Sequence, residues 1–198
     1  MDKRSHKKLE IIEKSFNEMH LYGYNATGVK TIASTAKIAK GSLFNYFESK
    51  EDYGVQALTY YHNQLKEKSW DIFEDKSISA RERIIGYFRN EIDLNYDDTT
   101  KISKGCFVGN IAQELAGVNE VFRCLTEKMI NELILKIESC INETIKNEKY
   151  ISDIESSKLS KFIVSSWYGS LLTAKVQNSK YPLEVFCQVI EEILDVKK

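Results

Sequence analysis

Proline, cysteine and histidine are all scarce in this chain, and each scarcity removes a class of protein. One proline and nine glycines in 198 residues leave long helices almost uninterrupted, and no segment alternates like a strand over a useful length. Four cysteines, Cys106, Cys124, Cys140 and Cys187, have no C-x-x-C spacing and no histidine beside them. That argues against zinc and suits a reducing, cytoplasmic setting. The three histidines, His6, His20 and His62, lie far apart, without an H-E-x-x-H pattern or a nucleophile–base spacing. Ser34, Ser42 and Ser170 have no evident base, and Gly105, Gly109 and Gly117 form no phosphate-cradling loop. An enzyme is therefore not expected, and neither a metal nor a cofactor is called for. No apolar run approaches the length of a membrane span. The opening MDKRSHKKLE is charged and leads into an amphipathic helix, so no signal peptide is expected.

One further absence is local. From Met19 to Phe47 there is no Asp or Glu, although acids are 29 of 198 residues overall, a frequency that would put about four in such a window. The same window holds Lys30, Lys37 and Lys40. Residues 1–50 carry 9 Lys+Arg against 5 Asp+Glu, while the remainder carries 19 against 24. A surface that meets phosphate excludes carboxylates, because each would repel the backbone it must approach. The plainer alternative is a solvated basic face on an ordinary three-helix unit.

The acid-free window has a pattern of its own. Val29, Ile32, Ala33 and Ala36 recur at i, i+3, i+4 and i+7, the signature of one buried helix face. Thr27 stands at the expected N-cap. A tight corner at Lys37 to Ala39 precedes a second short helix, about Lys40 to Phe47. There Leu43 and Phe47 turn inward and leave Lys40, Ser42, Asn45 and Tyr46 outward, with Lys40 at a helix N-terminus that an anion would suit better. Ser49-Lys50-Glu51-Asp52 opens a third helix with the S-x-x-D form of a capping box. Two short helices across a tight turn make a helix-turn-helix.

The run from Thr27 through Ile32-Ala33, Ala36 and Lys40-Gly41-Ser42-Leu43-Phe44-Asn45-Tyr46-Phe47 to Lys50-Glu51 resembles the DNA-binding signature of the TetR family of bacterial repressors. Two departures stand out: the corner lacks the usual glycine, and Phe44 replaces a common tyrosine. The resemblance implies an all-α fold of about nine helices. Residues 1–50 would form a three-helix DNA-binding domain, and residues 51–198 a larger helical domain for ligand binding and dimerisation. It implies phosphate contacts from Thr27, Tyr46 and Lys50, a place near base edges for Lys40, Gly41, Ser42 and Asn45, and Lys30 on the same face. The implied partners are double-stranded operator DNA, a second copy of the chain and a small-molecule inducer. A TetR-like DNA-binder without a ligand and a helical protein-interaction module are the alternatives.

Helix spacing continues along the rest of the chain. Expected helices run from about Ser5 to Tyr22, Lys50 to Glu74, from the capping box Ser79-Ala80-Arg81-Glu82 to Asn95, Lys104 to Ala116, Asn119 to Asn147, Ser156 to Gln177, and from Pro182 to about residue 196. Asn95 to Thr100 and Ile151 to Glu155 read as breaks. Lys3 to Lys8 form a basic start, either an arm for phosphates or a solubilising tip. Ser166, Ser170 and Ala174 make a row of small residues at i, i+4 and i+8, suited to close helix approach. Apolar residues off the main stripes, Val164, Leu172, Val176, Val185, Val189 and Leu194, suggest a second buried face. Packing inside one chain or between two copies would both serve. The family pairs through its last two helices, which places Ser166, Ser170, Ala174, Phe186 and Ile190 at a dimer interface. Finally, Gly105-Cys106 through Asn110 to Glu114-Leu115 resembles a G-C-x-x-x-N-x-x-x-E-L stretch of one branch of the family. If the stretch is helical, Cys106, Asn110 and Glu114 share a face and line an inducer pocket walled by Phe107, Phe122, Trp167 and Tyr168. Cys106 is then either a thiol reactive toward an electrophilic inducer or, more simply, a small packing residue like the other three cysteines.

Overall fold

The structure, a computed structural model, describes residues 2–97, 102–147 and 154–195. Among these residues it is all-α but for one two-residue strand pair. The helices are α1 (Lys3–Tyr22), α2 (Val29–Thr35), α3 (Lys50–Ser69), α4 (Ala80–Asn95), α5 (Phe107–Leu115), α6 (Glu120–Asn147), α7 (Ser156–Gln177) and α8 (Tyr181–Ile193). Two 3-10 segments, Lys40–Asn45 and Trp70–Glu74, complete the helical content, and β1 (Tyr96–Asp97) pairs antiparallel with β2 (Ile102–Ser103). The break expected at Asn95 to Thr100 is therefore partly a β-ladder. Its last residues, like Ile151 to Asp153 and residues 196–198, lie outside the described part.

Compactness does not divide the chain at residue 50. One unit comprises the chain up to Gln64 together with Phe107–Thr126; the other comprises Leu65–Cys106 and the chain from Glu127 on. In the first unit α1 starts earlier than its apolar stripe suggests, because Asp2 caps it and accepts from Ser5 N at 2.8 Å. Lys3 to Lys8 are thus the opening turns of a helix and not a loose arm. Gly23 ends α1 at φ +87°, ψ 166°, with its N–H on Met19 O. The core joins Ile11, Ile12, Met19, Ile32, Ala33, Leu43, Phe47, Tyr53 and Leu58, all almost fully buried. Inside it Ser15 Oγ donates to Ile11 O at 2.6 Å, which leaves the Tyr53 hydroxyl to donate to Ser15 at 2.7 Å. Burial pushes the Tyr53 phenol up to about 12. A buried polar group is tolerable when it is paired in this way.

In the second unit the expected capping box forms in full: Ser79 Oγ accepts from Glu82 N, and the Glu82 carboxylate accepts from Ser79 N. Phe88, Trp167 and Phe186, from α4, α7 and α8, meet with centroids 4.9–5.1 Å apart. Arg83, only 1% exposed, donates to Phe73 O at 2.8 Å and pairs with Glu143 at 2.5 Å. α7 and α8 form a hairpin through Asn178, whose φ of 49° and ψ of 47° end α7 in the left-handed region. Pro182 lies in the first turn of α8.

The hairpin corrects part of the expected interface. Ala174, Phe186 and Ile190 are 0%, 7% and 2% exposed and belong to the core of a single chain, as do Val164 and Leu194. Ser166 and Ser170 are half-buried, Ser170 donating to Ser166 O. Of the small-residue row, Ala174 packs within the chain's own core. What remains exposed on α7 is Phe162, Leu172 and Val176, with Gly169 open between them, and Val189 on α8.

Candidate nucleic-acid interface

The helix-turn-helix forms, with three local differences from expectation. α2 is capped by Gly28 and not Thr27. Thr27 is buried, its hydroxyl donating to Gly23 O at 2.7 Å and Glu18 O at 3.2 Å, so it is turned into the α1–α2 corner and away from any phosphate. The turn after α2 is a Schellman motif: Ile38 N donates to Ala33 O and Lys37 N to Ser34 O. The left-handed position that glycine usually fills is taken by Lys37 at φ 57°. The second motif helix is a six-residue 3-10 turn, closed by Tyr46 N and Phe47 N on Leu43 O.

This turn still presents the residues that the spacing picked out. Leu43 and Phe47 are 1% exposed and anchor it inward. Lys40, Gly41 and Asn45 are exposed, and Ser42 and Tyr46 half-exposed. At Gly41 a Cβ would meet nothing, so that surface is open. Lys30 and Lys37 are exposed beside the turn. Phe44, missed from sequence, and Arg4, from the basic start, join the surface. Phe44 is 51% exposed, an apolar group of the kind that meets a thymine methyl. Arg4, on α1, donates to Asn45 O at 3.1 Å and braces the end of the turn. Nearby Lys3, Arg4, His6, Lys7, Glu10 and Tyr46 line a concavity of about 640 Å³. There Lys14 and then Lys7 hold the Glu10 carboxyl down at about 2, so one negative charge sits among the cations.

α3 begins as expected, with Asp52 N on Ser49 Oγ, while Asp52 Oδ2 accepts from Glu48 N. Lys50 lies over the Tyr24 ring, Nζ to centroid 4.3 Å. Desolvation lowers its pKa, and Glu114 opposes that shift.

Glu114 carries the least expected geometry. Its two carboxylate oxygens accept from two successive amides, Tyr24 N and Asn25 N, each at 2.7 Å. A carboxylate from α5 thus grips the backbone of the α1–α2 turn. Glycine at position 23 makes room for it, since a Cβ there would stand 2.9 Å from Glu114 Oε2. Around the grip, Asn110 Nδ2 reaches His20 O at 3.5 Å, and Asn119 Nδ2 donates to Glu51 Oε2 at 2.6 Å. Phe107 packs against Phe16, His20 and Tyr61, and Phe122 meets Tyr24 edge-on at 5.2 Å.

Phe107, Asn110, Glu114 and Phe122 belong to the helix-turn-helix unit, whereas Cys106, Trp167 and Tyr168 belong to the other. Gly105, at φ 67°, holds Cys106 outside α5, so the cysteine shares no helix face with Asn110 and Glu114. Cys106 is half-buried, and Cys140 and Cys187 are buried, but Cys124 is exposed and is no packing residue. No group of three or more candidate metal ligands occurs among the described residues, and none of their helices is long and apolar enough to cross a membrane.

Comparison with known proteins places this geometry. A profile described as "Bacterial regulatory proteins, tetR family" matches residues 11–52, and one described as "Tetracyclin repressor-like, C-terminal domain" matches residues 81–190. The chain belongs to the TetR family. It is 29% identical over 184 residues to the HTH-type transcriptional repressor DhaR of Mycobacterium sp. (strain GP1), covering 93% of this chain and 90% of that one. It is 24% identical over 162 residues to the repressor NemR of Escherichia coli K12, covering 82% and 80%. The crystal structure of reduced E. coli NemR superposes with a TM-score of 0.84 at 22% identity, over 97% of this chain and 98% of that one, which is a likeness of fold. As a TetR-family regulator the chain binds DNA through its helix-turn-helix, and its relatives are transcriptional regulators rather than enzymes. The second profile begins beyond the helix-turn-helix yet includes Glu114, the residue that grips it.

Proposed function

We propose that this TetR-family chain acts as a homodimeric repressor, occupying a palindromic operator and leaving it when a small molecule binds its second unit. The observation that carries the reading is the helix-turn-helix surface. Lys30, Lys37 and Lys40 stand exposed in a window without a carboxylate, around a turn whose outward residues are Gly41, Ser42, Phe44, Asn45 and Tyr46. Lysine and asparagine there can read guanine and adenine edges, and Lys50 and Tyr46 carry groups that can meet phosphates. The exposed side of α7 at Phe162, Gly169, Leu172 and Val176, with Val189 of α8, supports pairing of two copies. Such pairing sets two recognition turns about 34–36 Å apart. The Glu114 grip supports regulation, because α5 follows directly on Cys106 and any displacement of α5 pulls on the α1–α2 turn. An electrophile acting through Cys106 is one form of inducer, and a Cys106→Ser variant that still releases DNA under that electrophile removes it.

Fluorescence anisotropy with the DNA upstream of the protein's own gene tests the reading. The expected result is retention at a salt concentration that strips random DNA of the same length. Equal affinity for both sequences overturns it.

A further inference from the structure

One ring in the first unit gathers contacts from α3, α5 and α6, and it belongs to Tyr24 in the α1–α2 corner. Its backbone amide, with that of Asn25, is held by the Glu114 carboxylate of α5 at 2.7 Å. Phe122, in the first turn of α6, meets the ring edge-on at 5.2 Å. Lys50, the first residue of α3, lays its ammonium over the ring, 4.3 Å from the centroid. Gly54 lies one turn beyond Lys50 on the same helix face, and its missing side chain lets the ring come close. A Cβ there would stand 3.0 Å from Tyr24 and 2.9 Å from Phe122. Asn119, just before α6, accepts from Phe122 N at 3.1 Å and donates to Glu51 Oε2 at 2.6 Å. The segment Phe107–Thr126 thus holds both flanks of the reading motif, the corner before α2 and the start of α3. Tyr24 stands where the two meet.

Only one of these contacts needs an aromatic ring. Any residue but proline supplies the amide that Glu114 grips, and any apolar side chain could pack on Phe122. The Lys50 ammonium, by contrast, is drawn to the negative face of a π system. A ring engages one side of an ammonium and leaves N–H donors free on the other. Among the described residues no carboxylate pairs with that ammonium, and Glu114 acts on it only from farther off. A lysine held this way has already given up much of the rotamer freedom that a phosphate contact would cost. Lys50 is also half-buried, so its attraction to an anion is less screened than that of a lysine out in solvent.

We propose that Tyr24 is a positioning residue for DNA binding, its ring presenting the Lys50 ammonium to a backbone phosphate while Glu114 and Phe122 fix where the ring lies. This deepens the reading of Lys50 as a phosphate contact and rests on it, but it needs neither an operator nor an inducer.

The test uses the full-length protein and a random-sequence duplex, which reports on phosphate contacts alone. At about 0.1 M salt, Lys50→Met should weaken binding about tenfold in the natural protein, the share of one phosphate contact. In Tyr24→Leu the same change should weaken it less than about threefold, whereas Tyr24→Phe, which keeps the ring, should retain the tenfold loss. The ring current should also shift the Lys50 Hε resonances upfield, assigned by their absence in Lys50→Met, and the shift should persist when DNA is added. That measurement needs only the natural protein, so it decides the matter even if Tyr24→Leu fails to fold. Equal losses in both backgrounds give Tyr24 a structural role alone and overturn the proposal. So does tighter binding by Tyr24→Leu, or an upfield shift that vanishes on DNA, since the ring then holds Lys50 back. Lys50→Met without effect on the natural protein does the same. Non-additive losses on random DNA, with no preference for the DNA upstream of the gene, keep this role and remove the repressor reading. Specific binding with additive losses keeps that reading and overturns this role.

Discussion

Lys37 holds a backbone conformation that glycine holds freely. The left-handed region costs an L-residue with a Cβ about 1–2 kcal/mol, offset by the 0.5–1 kcal/mol or so that glycine loses in chain entropy. Lys37→Gly should therefore raise unfolding stability by up to about 1 kcal/mol in urea titrations while removing one cation from the DNA face. Lys50 makes the complementary case. Lys50→Met keeps the stem over Tyr24 and deletes the charge, so affinity should fall alike for all sequences and the salt slope should shrink by about one. A changed sequence preference with an intact slope would assign Lys50 to base reading. Glu91 links stability to pH with the reverse of the usual carboxylate sign. Its folded pKa is raised, so the folded chain binds the extra proton and stability falls as pH rises from the ordinary carboxyl range through the raised value. Glu91→Gln should gain on the natural protein as pH rises and match it in acid, a divergence that thermal melts from pH 4 to 8 can follow. At this scale the sequence was readable where periodicity or composition spoke: the acid gap, Leu43 and Phe47 inward, Lys40 and Asn45 outward. It misled at Thr27, because a threonine before a helix suits a cap as well as a buried corner, and only the fold chooses.

Among the elements, α5 braces the helix-turn-helix unit, a role that its sequence did not announce. The reason is physical. A carboxylate that grips backbone amides some 90 residues away leaves no trace in its partners' identities, since any residue but proline has an amide. Glycines gave the only hint, and it is legible only with coordinates. A Cβ at Gly54 would stand 2.9 Å from Phe122 and 3.0 Å from Tyr24, just as one at Gly23 would crowd Glu114. Glu114→Ala leaves two amides without their charged acceptor and should cost about 3 kcal/mol, hydrogen bonds to charged groups contributing about 1.5–3 kcal/mol each. Hydrogen exchange at Tyr24 and Asn25 should accelerate accordingly, and specific DNA affinity should drop with it. Unchanged exchange at those two amides would show that the grip does not form in solution. Ala174 of α7 misled for a kindred reason: a small side chain permits close approach by any helix, and here it packs within its own chain.

For the whole molecule, the sequence had the fold class and the order of helices. The proposed dimer is tested on the exposed side of α7. Leu172→Glu with Val176→Glu should give a monomer in sedimentation with helical circular dichroism intact, and specific operator binding should disappear. Ala174→Glu, at a fully buried position, should unfold the chain instead of separating it. A dimer that survives the double charge places the contact elsewhere. The first unit also has a history imposed by the ribosome. Its opening 64 residues leave the tunnel some 40 residues ahead of the segment Phe107–Thr126 that completes it, a delay of about 2–8 s at ordinary elongation rates. Through that interval the reading head exists without Glu114 on its corner and without Phe122 against Tyr24. A nascent chain stalled before Phe107 should expose its Tyr24 and Asn25 amides to exchange, and a regulator made in the same compartment as its target gains its grip on DNA only after more than half of it has been translated.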